Sequence, residues 1–468
     1  MKRKNGFLRH FVGWMLLLVC LMPQNASAAA YNWTRDVEGK RVAMPVAYVA
    51  SEMVDYFGPG IGALSNAQDL YYRDGLIYVA DTGNNRILVL DSDLRAQRVI
   101  TGGEKPFNAP HGVYADADGD IFVADTNNAC IVHLAPDGTF VEEFGQPDSE
   151  LYDAAYGFRP LKLCIDTVGQ FYVINREDYH GFTVIDALGQ FKGYVAPTKV
   201  GTSLMEKIVD LLATEEQKEQ LEKSLPPVHT NFFMDAQGAV YVTTSRTESA
   251  QLKKFLSYGN NIFPYTGSFG TGTEDSSIVD VTVNADGIIT LLEQDSGLLY
   301  QYDQSGTLLC SFGGGGNWKG TFMQASSLCE DKQGNLYVLD AGTGAITIWK
   351  PTSFITKVHE ALRLLEQGRY VASMTPWQEV LEIDRNYSVA RIGMGRAYMR
   401  QEMYAEALEQ YTIAQYRAGY SSAFAGLRHE FFREHFGLVV AAGLIILIVL
   451  VQLIRIGKKY AQKLSTSL

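Results

Sequence analysis

The most regular feature of the chain is a short apolar run that recurs six times. The runs are GLIYVAD (75–81), GDIFVAD (119–125), GQFYVIN (169–175), GAVYVTT (238–244), GIITLLE (287–293) and GNLYVLD (334–340). Most of them follow a turn such as DADG or DKQG, and an apolar run after such a turn is typical of a hairpin strand. Another turn and strand follow, and three units end on Phe-Gly, in VEEFG (141–145), GSFG (267–270) and CSFG (310–313). Four strands per unit of about 45 residues predict the blades of a β-propeller.

The sixth unit lacks a fourth strand, because Pro351 opens a region of helical periodicity. Near the N-terminus, VDYFG (54–58) matches VEEFG (141–145), the outer strand of the second unit. We therefore predict that a strand within residues 46–58 completes the sixth blade. Closure of this kind removes an exposed sheet edge.

Residues 200–226 form an insertion between the third and fourth units. Apolar residues recur there at helical spacing, and Thr214 with Gln217 forms a capping-box pattern, so the insertion is predicted to contain two short helices. Such an insertion either packs on the surface of the propeller or forms a lid over one mouth of its channel.

The motif Pro110-His111-Gly112-Val113, followed by GDIFVADTNNACIVHLAPDG (119–138), resembles an NHL repeat. The first and sixth units resemble it as well. The resemblance implies a mainly β fold, a six-bladed propeller over residues 31–352. It does not imply one activity, because propellers of this type include enzymes, receptors and scaffolds.

Residues 355–435 repeat at an interval of 34, which aligns Trp377 with Tyr411. That period is typical of tetratricopeptide repeats, and the segment resembles this family in its small and aromatic positions. Pro376 falls inside the second predicted helix and is expected to kink it. The resemblance implies a helical neck, which serves either as a spacer or as a docking surface for a protein partner.

Both ends of the chain have the features of membrane signals. Residues 1–28 combine four basic side chains, the run WMLLLVCLM and the motif Ala26-Ser27-Ala28, which predicts a cleaved signal peptide; an uncleaved anchor is the alternative. Residues 436–454 contain one polar side chain, Gln452, and are long enough for a transmembrane helix. The basic tail 455–468 then predicts a cytoplasmic C-terminus and a propeller outside the cell membrane, a single-pass type I arrangement.

Composition narrows the class of protein further. The chain has 468 residues, 47% of them apolar, and a net charge of -12 although both ends are basic. The acidic body excludes a nucleic-acid partner, because phosphate contacts need a positive face. Five cysteines do not make a disulfide framework, so those of the body are expected to be buried and free.

Candidate chemistry concentrates in the central channel, which the first strand of each blade lines. His111 and His229 lie on such strands, and Asp69 and Asp280 are nearby, so these four are the candidates for contact with a ligand in the channel. The resemblance to NHL-like lyases, which hold a metal with His from separate blades, makes a metal site conceivable. The positions aligned with the two His are Ala67, Leu161, Val279 and Ser326, which offer no third ligand. We therefore predict no catalytic residue, metal or cofactor.

A second set of polar residues recurs at the end of the second strand of the blades. Its members are Asp81, Asp125, Asn175, Glu293 and Asp340. Recurrence in nearly every blade indicates turn formation by side-chain hydrogen bonds rather than catalysis.

Two functions remain. The first is a membrane-anchored, non-catalytic module that binds a protein, a small molecule or a carbohydrate, with membership of an envelope or transport complex as an extension of it. The alternative is an extracellular metal-dependent hydrolase or lyase of the lactonase or amidating-lyase type. The missing third ligand favours the binding module.

Overall fold

The structure is a computed structural model that describes residues 32–197, 228–245, 247, 249–256, 260–271 and 276–465. The predicted signal peptide (1–28) and the insertion (200–226) lie outside the described residues. The chain divides into two compact units, a β-unit that ends at Ile355 and a helical unit that continues from Thr356.

The β-unit confirms the six-bladed propeller. Blade 1 contains β4 (Asp69–Arg73), β5 (Leu76–Asp81), β6 (Arg86–Asp91) and β7 (Ala96–Ile100); blade 2 contains β8 (Pro110–Ala115), β9 (Ile121–Asp125), β10 (Cys130–Leu134) and β11 (Phe140–Phe144); blade 3 contains β12 (Pro160–Ile165), β13 (Phe171–Asn175), β14 (Phe182–Ile185) and β15 (Phe191–Val195). Each blade is an antiparallel meander, in which neighbouring strands are joined by short turns.

The second half of the ring is less uniform. Blade 4 contains β16 (Val228–Met234), β17 (Ala239–Ser245) and β18 (Leu252–Leu256); blade 5 contains β19 (Ile278–Val283), β20 (Ile289–Glu293), β21 (Leu298–Tyr302) and β22 (Leu308–Gly313), extended by β1 (Trp33–Arg35) and β2 (Arg41–Ala43); blade 6 contains β23 (Ala325–Glu330), β24 (Leu336–Asp340), β25 (Ala345–Pro351) and β3 (Tyr48–Val54). Blade 5 is thus a six-stranded sheet.

The core lies in layers between consecutive blades. One apolar cluster joins Leu70 and Val79 of blade 1 to Tyr337 and Leu339 of blade 6, and similar clusters fill the next spaces around the ring. A second strand such as β9 is buried along its whole length because both faces of the blade contact a neighbour. This explains why the six recurring runs are continuously apolar rather than alternating.

The prediction that blade 4 ends in a fourth strand at Phe-Gly is wrong. GSFG (267–270) lies in an irregular segment and not in a strand. Phe269 is nevertheless buried in the cluster between blades 4 and 5, and its backbone N–H donates to Gln251 Oε1 at 2.8 Å. The Phe-Gly pair therefore marks a buried aromatic residue between blades, whether or not the backbone around it is extended.

The N-terminal strands were not anticipated on blade 5. Trp33 of β1 pairs with Ser311 of β22, and its ring meets Tyr300 edge to face at 5.9 Å. The hydroxyl of Thr34 donates to the carbonyl of Leu308 at 2.8 Å. The turn between them, DVEG (36–39), has the Asp and Gly pattern of the repeat turns, but the flanking strands WTR and RVA are too short to form an apolar run, and the two strands were not predicted.

Strand β3 is the outer strand of blade 6, and it pairs antiparallel with β25 from Tyr48↔Pro351 to Val54↔Ile346. A chain that begins at residue 60 would leave the edge of β25 unpaired and uncover Trp349, so we expect it to aggregate. The matched control begins at residue 45, which removes only β1 and β2. Gel filtration and thermal unfolding compare the two; equal stability of both chains would contradict this role of β3.

The helical unit contains α1 (Ser353–Glu366), α2 (Tyr370–Ile383), α3 (Ser388–Arg400), α4 (Tyr404–Ile413), α5 (Arg417–Glu434) and α6 (Phe436–Ser465) in the described residues. Glycines bring consecutive helices close together: a Cβ atom at Gly395 would lie 2.4 Å from Tyr411, and one at Gly393 would lie 2.5 Å from Trp377. Helix α2 is continuous through Pro376. The resemblance to tetratricopeptide repeats stays a prediction.

Helix α6 is the one candidate membrane span in the part of the chain that the structure describes. Its segment Phe436–Lys459 has 24 residues, and within it a window of 18 residues has a mean hydropathy of 3.0 and no buried residue. A helix of this length and composition is sufficient to cross a bilayer.

Candidate functional site

The six innermost strands contact one another in a closed circle, in the order β4, β8, β12, β16, β19 and β23. Near its start, each of the last five contains a bulge, an extra residue that the neighbouring strand does not match. The residue after the bulge occupies the same register position in every blade, and the equivalent residue of β4 is Asp69. We call these six residues the axial ring: Asp69, Gly112, Lys162, Asn231, Asp280 and Ser327.

Hydrogen bonds join the axial ring from blade to blade. Asn231 Nδ2 donates to Asp280 Oδ1 at 2.5 Å, and Ser327 Oγ lies 2.5 Å from Asp280 Oδ2 and 3.3 Å from Asp69 Oδ1. Lys162 Nζ donates to Asp69 Oδ1 and, at 3.0 Å, to the carbonyl of Gln68. The ring is therefore a connected polar network rather than a set of separate side chains.

Blade 2 contributes a glycine because the backbone of β12 lies directly against this position. A Cβ atom at Gly112 would lie 2.3 Å from the carbonyl oxygen of Leu161, so no larger residue fits without movement of β12. The backbone N–H of Val113 completes the contact by donating to Asp69 Oδ2 at 2.9 Å. Lys162 thus links two blades across a third.

The ring residues are removed from water. Ser327 is fully buried, and Asp69, Lys162, Asn231 and Asp280 are each at most 7% exposed. Burial raises the pKa of Asp280 to about 6, and the nearby Asp69 acts in the same direction while Lys162 opposes both. A buried carboxylate is tolerated here because Lys162 and several backbone N–H groups compensate its charge.

The structure brings Asp69 and Asp280 together through Ser327, whereas His229 has other contacts. Its Nε2 lies 2.8 Å from the carbonyl of Ala196, and its Nδ1 lies 3.1 Å from the hydroxyl of Thr244. Both imidazole nitrogens of His229 therefore have structural partners, and burial lowers the pKa of His229 to about 4. This side chain is neutral at physiological pH and holds β16 to the end of blade 3.

The proposed alignment of His229 with His111 is wrong by one residue. His111 lies in the bulge of β8, since Pro110 pairs with Asp125 and Gly112 with Ala124. In blade 4 the equivalent bulge residue is Thr230, because His229 pairs with Thr244 and Asn231 with Thr243.

His111 is also neutral. Burial, followed by the charges of Lys162 and Arg176, lowers the pKa of His111 to about 3. Its Nδ1 atom is buried without a hydrogen-bond partner among the described residues. Within the same part of the chain, no three His, Cys, Asp or Glu side chains are grouped closely enough to hold a metal ion.

We expect the double change His111→Ala and His229→Ala to leave the metal content of the purified protein at background. It should lower the free energy of unfolding by about 1–3 kcal/mol, because the carbonyl of Ala196 and the hydroxyl of Thr244 lose a buried partner. Elemental analysis and urea unfolding measure the two effects. Stoichiometric zinc or calcium in the unchanged protein, lost from the double variant, would support the enzyme alternative instead.

Four of the five recurring polar residues at the ends of the second strands accept backbone N–H groups, whereas Asn175 instead donates to the hydroxyl of Thr183 at 2.8 Å. Asp81 Oδ1 accepts the N–H of Ser65, and Asp125 Oδ1 accepts the N–H of Asn108, each at 2.8 Å. Asp340 accepts from Gln324 in the same way. Each carboxylate thus holds the loop that enters the first strand of its own blade.

The four cysteines of the body, Cys130, Cys164, Cys310 and Cys329, are buried and free, as predicted. Burial raises the pKa of each thiol. A neutral thiol is a poor nucleophile and a poor metal ligand, so these residues act as small apolar side chains.

An open groove of about 610 Å³ lies at the outer seam between blades 6 and 1. Its apolar wall includes Phe57 and Leu94, and its rim includes Tyr56, which is 59% exposed. Glu52 and Asp93 line both this groove and an adjoining cavity of about 180 Å³ that also contains Asp331. Sequence reasoning missed this site because its residues come from two chain segments that meet only when the ring closes.

Comparison with known families agrees with the architecture. The NHL repeat matches residues 64–90 and 107–134, in blades 1 and 2. The chain is therefore a β-propeller that contains NHL repeats, followed by helices of which the last is a candidate membrane span. A comparison with curated proteins finds no match.

Solved structures of propellers resemble the chain distantly. The virginiamycin B lyase from Staphylococcus aureus is 14% identical, with a TM-score of 0.40, and the match covers 69% of this chain and 89% of the lyase. The propeller domain of Cps50 (Swd1) from Myceliophteria thermophila is 12% identical, with a TM-score of 0.44, over 65% of this chain and 100% of that domain. A protein of unknown function from Bacteroides thetaiotaomicron is 11% identical, with a TM-score of 0.44, and the match covers 67% of this chain and 80% of that protein. These likenesses carry no argument about function.

Proposed function

We propose that this protein is a membrane-anchored, extracytoplasmic propeller that binds a protein partner and catalyses no reaction. The axial ring is the observation that supports this most directly. Its polar side chains bind one another and the backbone of the inner strands, and Lys162 neutralises Asp69. A catalytic site on a propeller axis needs polar groups that face an open channel, and the ring side chains are instead engaged and buried.

In this proposal α6 crosses the cell membrane once, with the propeller outside and the tail 455–468 in the cytoplasm. The basic residues of the tail and the acidic body support this orientation. Protease added to intact cells should remove the propeller and leave a small C-terminal fragment in the membrane. A propeller that stays protected until the cells are lysed would contradict the orientation.

The groove between blades 6 and 1 is the docking position that we propose for the partner. Three carboxylates, Glu52, Asp93 and Asp331, line the groove and its adjoining cavity against two basic residues, Arg95 and Lys350, and Arg95 is already paired with Asp93 at 2.9 Å. Exposed Tyr56 adds a large amphipathic surface. These features fit an extended protein segment that carries Lys or Arg beside an apolar residue.

The test uses the full chain, captured from membranes after chemical cross-linking. Changing Tyr56→Ala together with Glu52→Gln should abolish the cross-link to the partner, because both lie on the groove. Leu188→Ala is the matched control, since Leu188 is 80% exposed on blade 3, away from the groove. If the partner cross-links equally to both variants, it docks elsewhere. If the bound species is a sugar or a small molecule, the proposal of a protein partner is wrong.

The helical neck is a second surface for the same partner, if the tetratricopeptide resemblance holds. Its helices α2 to α4 pack through glycine and aromatic residues. Removing the neck and fusing the propeller directly to α6 should then weaken capture without changing the oligomeric state of the propeller. Membership of a larger envelope or transport complex would appear as further proteins in the same capture.

A further inference from the structure

Helix α6 is longer than the apolar segment that it contains. The helix has 30 residues, Phe436–Ser465, and is therefore about 45 Å long. Its apolar run, residues 436–454, spans only about 28 Å, which is close to the thickness of a hydrocarbon core. Residues 455–465 continue the same helix for about 16 Å, and we call them the terminal segment. When α6 crosses a membrane, the terminal segment begins where the hydrocarbon ends.

The terminal segment contains basic residues and no acidic residue. Arg455, Lys458 and Lys459 are all exposed, and Lys463 follows them in the sequence. The nearest acidic residue is Glu434, which stands before the apolar run and thus at the opposite end of α6. The positive charge of the terminal segment is therefore not balanced within the helix.

Basic and apolar positions fall on opposite sides of the terminal segment. Positions three, four and eight residues apart share one side of an α-helix, because the helix has 3.6 residues per turn. The basic positions are Arg455, Lys458, Lys459 and Lys463, and the apolar positions are Ile456, Tyr460 and Leu464. Each set follows this spacing, so the terminal segment is amphipathic, with one basic side and one apolar side.

The two-sided arrangement goes beyond what membrane orientation requires. To orient a membrane helix, basic residues need only be near one end, and it does not matter on which side of the helix they lie. A helix with one basic and one apolar side is instead typical of segments that lie at the membrane surface, where the apolar side meets the acyl chains. The basic side is then level with the lipid headgroups, and positive charge at that level favours anionic over neutral lipids.

We propose that the terminal segment binds the phosphate groups of anionic lipids at the membrane surface. The guanidinium group of Arg455 is suited to hold a phosphate by two parallel hydrogen bonds, and the ammonium groups of Lys458 and Lys459 add point charges beside it. On the other side, Ile456 is 50% exposed and is available to the acyl chains. The proposal rests on the membrane anchoring stated above, but not on the groove or on which side of the membrane the propeller lies.

The test uses the full chain, reconstituted in phosphatidylcholine vesicles that contain a small share of one brominated lipid. A fluorophore is attached through Ser465→Cys in a chain whose Cys20 is replaced by Ser, since the four cysteines of the propeller are buried. Brominated phosphatidylglycerol should quench the fluorophore at least about threefold more strongly than brominated phosphatidylcholine, because each basic residue near the surface favours anionic lipid by about a factor of five. Added inorganic phosphate should leave this difference unchanged. Its loss on adding phosphate would indicate a site for free phosphate and overturn the lipid proposal.

Two variants separate a one-sided lipid site from net charge alone. Arg455→Gln, Lys458→Gln and Lys459→Gln together should abolish the difference between the two brominated lipids. The matched control exchanges neighbours, Arg455→Ile with Ile456→Arg and Lys459→Tyr with Tyr460→Lys, which keeps composition and charge but mixes the two sides. It should lose most of the difference, and a control that keeps all of it would overturn the proposal.

The quenching also distinguishes failure of this proposal from failure of the membrane anchor. Equal quenching by the two brominated lipids in the unchanged chain would overturn the lipid site while leaving the anchor intact. The absence of quenching by either lipid would show that the terminal segment is not at the membrane, and it would reject the anchoring together with the site.

Discussion

Replacing Lys162 with methionine should lower the free energy of unfolding by about 3–5 kcal/mol, which is the usual effect of removing one partner from a buried ion pair. Lys162 and Asp69 are 5% and 7% exposed, and the ammonium group also donates to the carbonyl of Gln68 at 3.0 Å. Methionine keeps much of the volume of the side chain but leaves Asp69 without its cation. Urea unfolding followed by tryptophan fluorescence measures the loss.

Two further variants show whether the charge itself is responsible. Adding Asp69→Asn to Lys162→Met removes the stranded carboxylate and should restore part of the stability. Lys332→Met is the matched control: Lys332 pairs with Asp74 at 2.6 Å, but both side chains are more than 60% exposed, so solvent screens the pair and its loss should leave the unfolding curve nearly unchanged. A single Lys162→Met variant as stable as this control would show that the axial ring does not hold the blades together.

Glu330 should lower the stability of the protein as the pH rises from about 4.5 to about 8, a contribution opposite in sign to that of the buried neutral His111 and His229. Burial raises the pKa of Glu330 from 4.5 to about 8, with Asp331 adding to the shift. Asn284 Nδ2 donates to its Oε1 at 3.0 Å, but Oε2 is buried without a hydrogen-bond partner in the described part of the chain. The folded protein therefore keeps the carboxyl neutral at pH values where the unfolded chain ionises it.

The direction in which Glu330 changes the stability with pH follows from this difference in pKa. Between the two values the unfolded chain binds fewer protons than the folded protein, so each pH unit costs up to about 1.4 kcal/mol, and the loss levels off above the folded pKa. Glu330→Gln copies the neutral carboxyl and should remove this dependence, becoming more stable than the unchanged protein at pH 8 while differing little at pH 4. Glu52→Gln is the control at an exposed glutamate of the same propeller. Parallel pH profiles for the protein and Glu330→Gln would contradict the assignment.

The architecture was predictable because its signals are local. Each blade repeats a turn, an apolar run and a second turn, and these patterns depend on the backbone preferences of Gly, Asp and Asn and on burial of the second strand. The 34-residue repeat of the helical segment and the apolar run 436–454 are local in the same sense. The two short strands β1 and β2 share the turn signal, in DVEG (36–39), but have no apolar run, and they pair with the outer edge that blade 5 presents to Trp33.

The candidate site was predictable only in part. Asp69 and Asp280 were recognised as channel residues, but Lys162, Asn231 and Ser327 were not, and His229 was assigned to the wrong register. A sequence signal does exist: in blades 2 to 6 the ring residue stands four positions before the turn Asp or Asn, as Lys162 stands before Asp166. Counting back four positions from Asp235 in blade 4 places Asn231, not His229, in the axial ring.

The sequence by itself determined the blade repeat, the six-bladed class, the order of propeller, helical segment and apolar helix, and the structural role of the recurring acidic residues. Only the tertiary structure decided which polar residues meet. Lys162 and Asp69 are 93 residues apart and Ser327 and Asp69 are 258 apart, so no local pattern relates them. Closing six blades into a ring brings one register position of every inner strand to a single axis, and the contacts made there depend on that closure rather than on neighbours in the chain.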